Sequence, residues 1–525
     1  MARRRSAPNT TSKKKRPSKD KHMNRTLLTT LAAALFATGC TLAPTYERPA
    51  APVAATFPQG GVYDNQPAKG AATRTASDHA ATDIGWREFF VDRRLQRLIE
   101  LALQNNRDLR VSALKVEEAR AQYRIQRADL MPSLSVDGTG TRSRTPKDLS
   151  YVGRATVGAE YQVAASASWE LDFFGKVRSL TEQTLQTYFS TAQARKAEEI
   201  LLVSQVADQY LTLVAYDEML ASTKNTYDTA RRSYELTKLQ YDTGTGSELD
   251  LREAAGTMQQ AQANYESQQR SRAQAENALV LLVGAPLPAD LPQGLLLASQ
   301  QLLADIPAGV PSELLTRRPD IMEAEATLIG ANANIGAARA AFFPSISLTG
   351  DFGTASASLG TLFKPGQLAW SFGPTISVPI FKGGENRANL DLAKLEKNVA
   401  VAQYEKAIQT AFREVSDGLA ARGTYDRQIK ALQENVESQQ RRYDLSDLRY
   451  RQGVDSYLNV LTAQTDLYSA QQSLITASLN RLTNLVDLYQ YLGGGWIERT
   501  GDTPRSADAP YAQQAQQPTR VAAQP

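Results

Sequence analysis

Reactive side chains are scarce in this sequence, and their types limit the chemistry open to it. There is one cysteine, Cys40, and there are two histidines, His22 and His79. A lone thiol cannot close an internal disulfide or build a Cys-rich zinc or iron–sulfur site. The histidines lie in a basic leader and in a Ser/Thr/Ala-rich stretch, poor ground for a hydrolase triad or a histidine-ligated metal. The chain has no Gly-x-Ser-x-Gly elbow, no Walker loop, no His-Glu-x-x-His motif and no paired carboxylates in a catalytic setting. No catalytic residue, metal or cofactor is therefore expected, and the chain reads as a non-enzyme. The one side chain placed for a covalent step is the Cys40 thiol.

Its setting says which step. Residues 1–22 carry nine basic side chains against the single acid Asp20. An apolar run, Leu27–Ala37, follows directly, and its length fits the hydrophobic region of a signal peptide better than a membrane span. Met23 would start such a peptide by itself, so 1–22 is either an over-long start or an extended basic region. Without residues 1–39 the chain holds 49 basic and 54 acidic residues, a net charge of −5, and nucleic-acid binding is not expected. Ala37-Thr38-Gly39-Cys40 resembles a bacterial lipobox, with Ala37 where Leu is usual. That resemblance implies a signal peptide over 1–39, a lipid on Cys40 and a lipidated linker over 40–82. Thr41, in place of Asp, is similar to the outer-membrane sorting pattern.

The elements behind Cys40 come in two copies. Asn106-Arg107-Asp108-Leu109 pairs with Arg318-Pro319-Asp320-Ile321, and Pro132-Ser133-Leu134-Ser135-Val136 with Pro344-Ser345-Ile346-Ser347-Leu348. Tyr241-Asp242-Thr243-Gly244 pairs with Tyr450-Arg451-Gln452-Gly453, and Ser247, Leu249 and Asp250 keep register with Ser456, Leu458 and Asn459. Units this long are duplicated halves, 83–304 and 305–500, and not solenoid repeats. In each half a helix ends at a proline (Pro132, Pro344), and strict alternation follows. Leu134, Val136 and Gly138 oppose Ser133, Ser135 and Asp137; Ile346, Leu348 and Phe352 oppose Ser345, Ser347 and Asp351. The return strands place Tyr161, Val163, Trp169 and Leu171 opposite Ser166, Ser168 and Asp172, and Trp370, Phe372, Ile376, Val378 and Ile380 opposite Ser371, Thr375 and Ser377. Hairpins over 133–172 and 345–380 follow, with the alternation of a transmembrane β-barrel. Four strands cannot close a barrel, and an open edge is not tolerated in lipid. Two, three or four copies would share one, and an open duct needs at least three.

Each hairpin is followed by a long helix-forming run, Arg178–Tyr241 and Glu385–Arg451, and by a returning helix, Leu249–Leu282 and Leu458–Tyr491. The helical hairpins thus cover 178–283 and 385–492. Ile200, Val203, Ala207, Tyr210 and Val214, and Val401, Tyr404, Ile408, Ala411 and Val415, repeat at heptad spacing, as do Leu461, Tyr468, Ile475, Leu482 and Tyr489. The linker Pro49–Thr82 and the tail Gly501–Pro525 read as poorly ordered.

Asp83-Ile84-Gly85-Trp86-Arg87-Glu88-Phe89-Phe90, Asn105-Asn106-Arg107-Asp108-Leu109, Ala340-Ala341-Phe342-Phe343-Pro344-Ser345-Ile346-Ser347-Leu348 and the two Tyr-x-x-Gly turns resemble the TolC-type outer-membrane efflux proteins, the lipidated OprM branch above all. The resemblance runs from about Cys40 to Trp496. It implies an α+β membrane protein: a homotrimer in which four strands per chain build a shared twelve-stranded barrel, continuous with a periplasmic α-helical barrel through a mixed equatorial region. It implies as partners outer-membrane lipid, a periplasmic adaptor (membrane fusion protein) and an inner-membrane resistance-nodulation-division pump. By the same resemblance the adaptor docks at the helical tips, Tyr241, Gly244, Ser247 and Leu249 with Tyr450, Gly453, Ser456 and Asn459. The gate falls to Asp250, Arg252, Leu458 and Thr462. Asp250 would either crowd the axis with like charges or pair with Arg252, and Thr462 stands where relatives carry an acid.

The expected function is passive conduction of drugs and other small molecules across the outer membrane of a Gram-negative bacterium, driven by the inner-membrane partner. A duct for a type I protein-secretion system shares the fold, and a pore-less coiled-coil lipoprotein is the structural alternative. Neither the cargo nor the cognate pump is legible in the residues.

Overall fold

The computed structural model describes residues 41–63, 80–300, 302 and 311–502. Cys40, the expected signal peptide 1–39 and the tail from 503 to 525 lie outside the described residues. The described chain divides into two compact units. One holds 41–45, 125–182 and 332–393; the other holds 46–63, 80–124, 183–300, 302, 311–331 and 394–502. Each unit draws segments from both sequence halves.

The helices are α1 (Trp86–Phe89), α2 (Arg93–Asn105), α3 (Arg107–Ala128), α4 (Lys176–Asp242), α5 (Glu248–Val283), α6 (Pro311–Arg317), α7 (Pro319–Ala340), α8 (Glu385–Arg451) and α9 (Tyr457–Tyr491). The strands are β1 (Ser133–Thr145), β2 (Thr156–Leu171), β3 (Ser345–Ser356) and β4 (Leu368–Ser377).

In the strand-bearing unit, all four strands form one antiparallel sheet in the order β1-β2-β3-β4. Val136 pairs with Ala165, Ala165 with Phe352, and Phe352 with Trp370, so the apolar sets of the four strands share one face. Two strand ends fall short of expectation. Asp172 lies past β2 because its carboxylate caps the next helix, accepting from Val177 N at 3.1 Å and Arg178 N at 2.8 Å. Val378 and Ile380 lie past β4, because Ser377 already pairs with Ser345, the first residue of β3, and the partner strand runs out there.

The helices α4 and α8 each run 67 residues, about 100 Å at the α-helical rise, and most of each belongs to the helical unit. Neither Gly418 nor Gly423 breaks α8. Gly418 lets α9 come close, because a Cβ there would stand 3.1 Å from Leu488 Cδ1. The heptad seams are the core: Ile200, Val203, Ala207, Tyr210, Tyr404, Ile408, Ala411, Val415, Leu482 and Tyr489 are all buried. The Asp83–Phe90 motif closes one end of it. Phe89 stacks on Tyr489 with ring centres 4.1 Å apart, and the Tyr489 hydroxyl donates to Ile84 O at 2.6 Å.

The linker differs from expectation over its described part. Phe57 is buried and stacks on Phe412, with ring centres 5.3 Å apart. Just before the linker's proline-rich stretch, Arg48 forks onto both Glu325 oxygens, at 2.7 and 2.9 Å, and the Tyr46 hydroxyl joins it at 3.0 Å. In the other unit, Arg339 and Asn332 donate to Leu42 O and Pro44 O. Composition averages hid these few aromatic and charged anchors.

Candidate functional site

Two features of the chain are built for something other than its own stability, the turns that join the long helices and the faces of the sheet. Each turn is a Schellman ending. Thr245 N donates to Gln240 O and Gly244 N to Tyr241 O, both at 2.9 Å; Val454 N donates to Arg449 O at 3.0 Å and Gly453 N to Tyr450 O at 2.9 Å. The motif needs a left-handed residue after the helix, and Gly244 (φ 74°) and Gly453 (φ 69°) supply it. The tips then diverge. Ser247 caps α5, its Oγ accepting from Asp250 N at 3.1 Å, whereas the Ser456 side chain makes no such bond. Asp455 serves α9 instead: its carboxylate accepts from Ser456 N at 3.0 Å, from Asn459 Nδ2 and from Arg449 Nε at 3.1 Å. Hydrogen bonds from Asn459, Arg449 and Ser456 N hold that carboxyl below the usual carboxylate range.

The two turns of one chain are tied together by tyrosines. Tyr457, Val460, Leu461 and Ala254 form a buried cluster with Tyr234, Tyr443 and Tyr450 packed against it. The Tyr457 hydroxyl touches Ser233 Oγ, and its ring leans on Tyr450 at 5.1 Å. Burial, with the Asp250 charge adding to it, pushes the Tyr450 phenol up. Around this knot Tyr241, Leu249, Leu458 and Val454 stand exposed, an apolar surface that the chain itself leaves uncovered. Beside it, Arg441, Arg442, Leu445, Arg449, Asp455 and Asn459 line a groove of about 640 Å³.

Arg252 pairs with Glu248 Oε1 at 3.2 Å, not with Asp250. Residues four apart share a helix face and residues two apart do not. Thr462 is exposed and returns its hydroxyl to Leu458 O at 2.9 Å. Tyr457, Tyr443 and Asp455 were missed by sequence reasoning. The seven-residue step from Tyr450 to Tyr457 was the available signal.

The sheet is the second feature. Leu134, Val136, Phe352, Trp370, Phe372 and Ile376 on its apolar face are more than half exposed, and β1 and β4 each pair on one side only. The opposite face carries a polar network in which Ser166 and Ser371 each donate to Asp351 at 2.7 Å, while Ser135 donates to Asp137 at 2.7 Å. A sheet with a bare apolar face and two open edges is incomplete in one chain.

Far along α4 from the turn, Asp208 Oδ1 is buried without a hydrogen bond. Burial, with the charge of Asp487 on α9 adding to it, pushes the Asp208 carboxyl up to about 8. Close by, Arg318 is held between Asp320 and Glu414 and donates to Tyr491 O. Among the described residues no helix is long and apolar enough to cross a membrane, and no cluster of ligands could hold a metal.

The sequence profile of the outer membrane efflux proteins matches residues 98–285 and 310–494. The chain is 49% identical over 486 residues to the probable efflux pump outer membrane protein TtgC of Pseudomonas putida, covering 92% of this chain and 99% of that one. Among solved structures it is similar to a membrane protein from Pseudomonas aeruginosa, at 44% identity and a TM-score of 0.78 over 86% of this chain and 100% of that one. It is also similar to the open state of the MtrE outer membrane channel of Neisseria gonorrhoeae, at 40% identity and a TM-score of 0.77 over 88% of this chain and 100% of that one.

Proposed function

The chain belongs to the outer membrane efflux protein family, and from that premise we propose that three copies join their sheets into one twelve-stranded barrel that serves as a passive exit duct. It is an outer-membrane component of a tripartite efflux system in a Gram-negative bacterium. The observation that carries the duct reading is the sheet, with its bare apolar face, its hydroxyl- and carboxylate-lined opposite face and its two open edges. Lipid covers the first face and water fills the second. Joining β1 of one copy to β4 of the next removes every edge. Three copies give the smallest assembly with an open lumen.

In this reading the chain breaks no covalent bond and holds no cofactor. Cys40, freed by signal-peptide cleavage, carries the lipid anchor. The tips engage a periplasmic adaptor, and an inner-membrane pump of the resistance-nodulation-division type supplies the energy. Leu458 and its neighbours close the aperture, with Asp250 at the first tip. Drugs and other small molecules are the cargo. TtgC is named as an efflux pump component, which favours efflux over protein secretion.

Planar-bilayer recording of the purified chain tests the duct, with discrete, ohmic conductance steps expected. Restored drug resistance in a strain lacking its own outer-membrane channels tests the cargo class. A chain that coats membranes without conducting would overturn the reading.

A further inference from the structure

We infer that the far end of β1 binds the phosphate groups of the glycolipid that forms the outer leaflet of the outer membrane. The inference rests on the reading of the sheet as barrel wall. β1 leaves α3 and β2 returns to α4, so the 146–155 turn lies at the strand ends remote from the helices. Along β1 the apolar face runs Leu134, Val136, Gly138, Gly140, and then changes character to Arg142 and Arg144. Their partners on β2 are Ala159 and Val157. Both arginines are exposed, and neither guanidinium group makes an ion pair or side-chain hydrogen bond among the described residues. Lys147 and Arg154 in the turn add charge of the same sign.

The level of this charge is set by the register. On β2 the stretch from Leu171 to the Tyr161 ring, past which only Ala159 and Val157 continue the face opposite the two arginines, is about 26 Å tall at about 3.4 Å per residue and about 40° of tilt, the height of a barrel's apolar band. Tyr161 marks its upper rim: its ring lies over Gly140, where a Cβ would come within 3.1 Å. Arg142 stands opposite a residue two positions past Tyr161, and Arg144 opposite one four past. Both guanidinium groups therefore sit about 5–10 Å beyond the hydrocarbon edge, at headgroup level.

The charge is also directed. On the lumen face at the same height stand Thr141 and Ser143, so the cationic pair faces lipid rather than cargo; Glu160 points to the lumen and Asp148 lies in the turn. Same-face neighbours on a strand are about 7 Å apart, and a guanidinium grips a phosphate with two parallel hydrogen bonds. Two such forks in a row match a lipid carrying phosphate on its sugar headgroup.

The full-length chain, purified as its oligomer in detergent, is incubated with bisphosphorylated lipid A or with the dephosphorylated form, and bound lipid is counted by native mass spectrometry. At least about tenfold more of the phosphorylated form should be retained. R142Q/R144Q should abolish the preference, R142K/R144K should keep most of it, and T141Q/S143Q should keep all of it. A wild-type preference in R142Q/R144Q, or none in the parent chain, overturns the inference. Bilayer conductance of the same samples separates the two readings. A chain that conducts without phosphate preference refutes this inference alone, whereas one that neither inserts nor conducts refutes the barrel as well.

Discussion

Arginine placed on the two faces of the sheet should cost very different amounts, and the register fixes how much. If the band runs from Leu171 to Tyr161, its midplane passes through Ser166, whose partners are Ser135 and Asp351. Val136 is one residue from that plane, about 3 Å, and Leu348 is three residues away, about 8 Å. A cation facing lipid costs about 2–4 kcal/mol at the midplane and falls toward about 0–1 near the interfaces. Val136→Arg should therefore cost about 2–4 kcal/mol per copy and Leu348→Arg about 1–2. Ser135→Arg and Ser347→Arg, on the wet face, should cost well under 1 kcal/mol. Urea titration of chains refolded into lipid vesicles measures the differences, and the amount of heat-resistant oligomer in outer-membrane fractions reports them in cells. Damage by Ser135→Arg equal to that of Val136→Arg would show that the faces are misassigned. A larger cost for Leu348→Arg than for Val136→Arg would shift the midplane and, with it, the headgroup level assigned to Arg142.

Mass spectrometry of the mature N-terminus should find an acylated Cys40; a chain in the outer membrane that starts before residue 39 would refute the lipobox reading. Leu458→Ala with Asp250→Ala should loosen the closed tips, raising single-channel conductance and sensitising cells to large antibiotics such as vancomycin; an unchanged channel places the closure elsewhere. Gly453→Val forces a β-branched residue to positive φ, costing about 1–2 kcal/mol at the turn, and should lower efflux through poor adaptor engagement without opening the pore. Asp208 titrates near 8 in the folded chain against 3.8 unfolded, so the native state binds the extra proton between those values. Stability should then fall as pH rises through that window, and thermal melts of Asp208→Asn should show a flatter pH dependence; an unaltered slope would mean that Asp208 is hydrated.

Much of this was legible because the physics is local and periodic. The heptad at Ile200–Val214, the prolines at 132 and 344 and the alternation at Leu134–Gly138 each dictate an element regardless of what surrounds it. The Gly244 and Gly453 turns were equally plain, since the left-handed position admits little else. What escaped depended on who meets whom. Asp172 looked like the last strand residue until its carboxylate was found on the next helix. Phe57 sits in a stretch whose composition argues for disorder, yet one ring against Phe412 is enough to order it. Tyr457 is unremarkable in sequence and becomes central only when Ser233 arrives from the other hairpin.

The pairing of β2 with β3 also sets an order of assembly. Leu171 meets Ile346 only after the chain between them, including a 67-residue helix and its return, has emerged. The β1–β2 hairpin can close early, but the free edge of β2 must wait through most of the export of the polypeptide before a neighbour from the same chain appears. Such a delay slows productive folding, because the entropy of closing so long a loop is lost before any contact compensates it. It also leaves a sticky hairpin bare in the aqueous periplasm, where a holding chaperone would have the most to protect. A chain truncated after α5 would keep the hairpin and lose its only intramolecular partner strand, making it a substrate for proteolysis rather than half a channel.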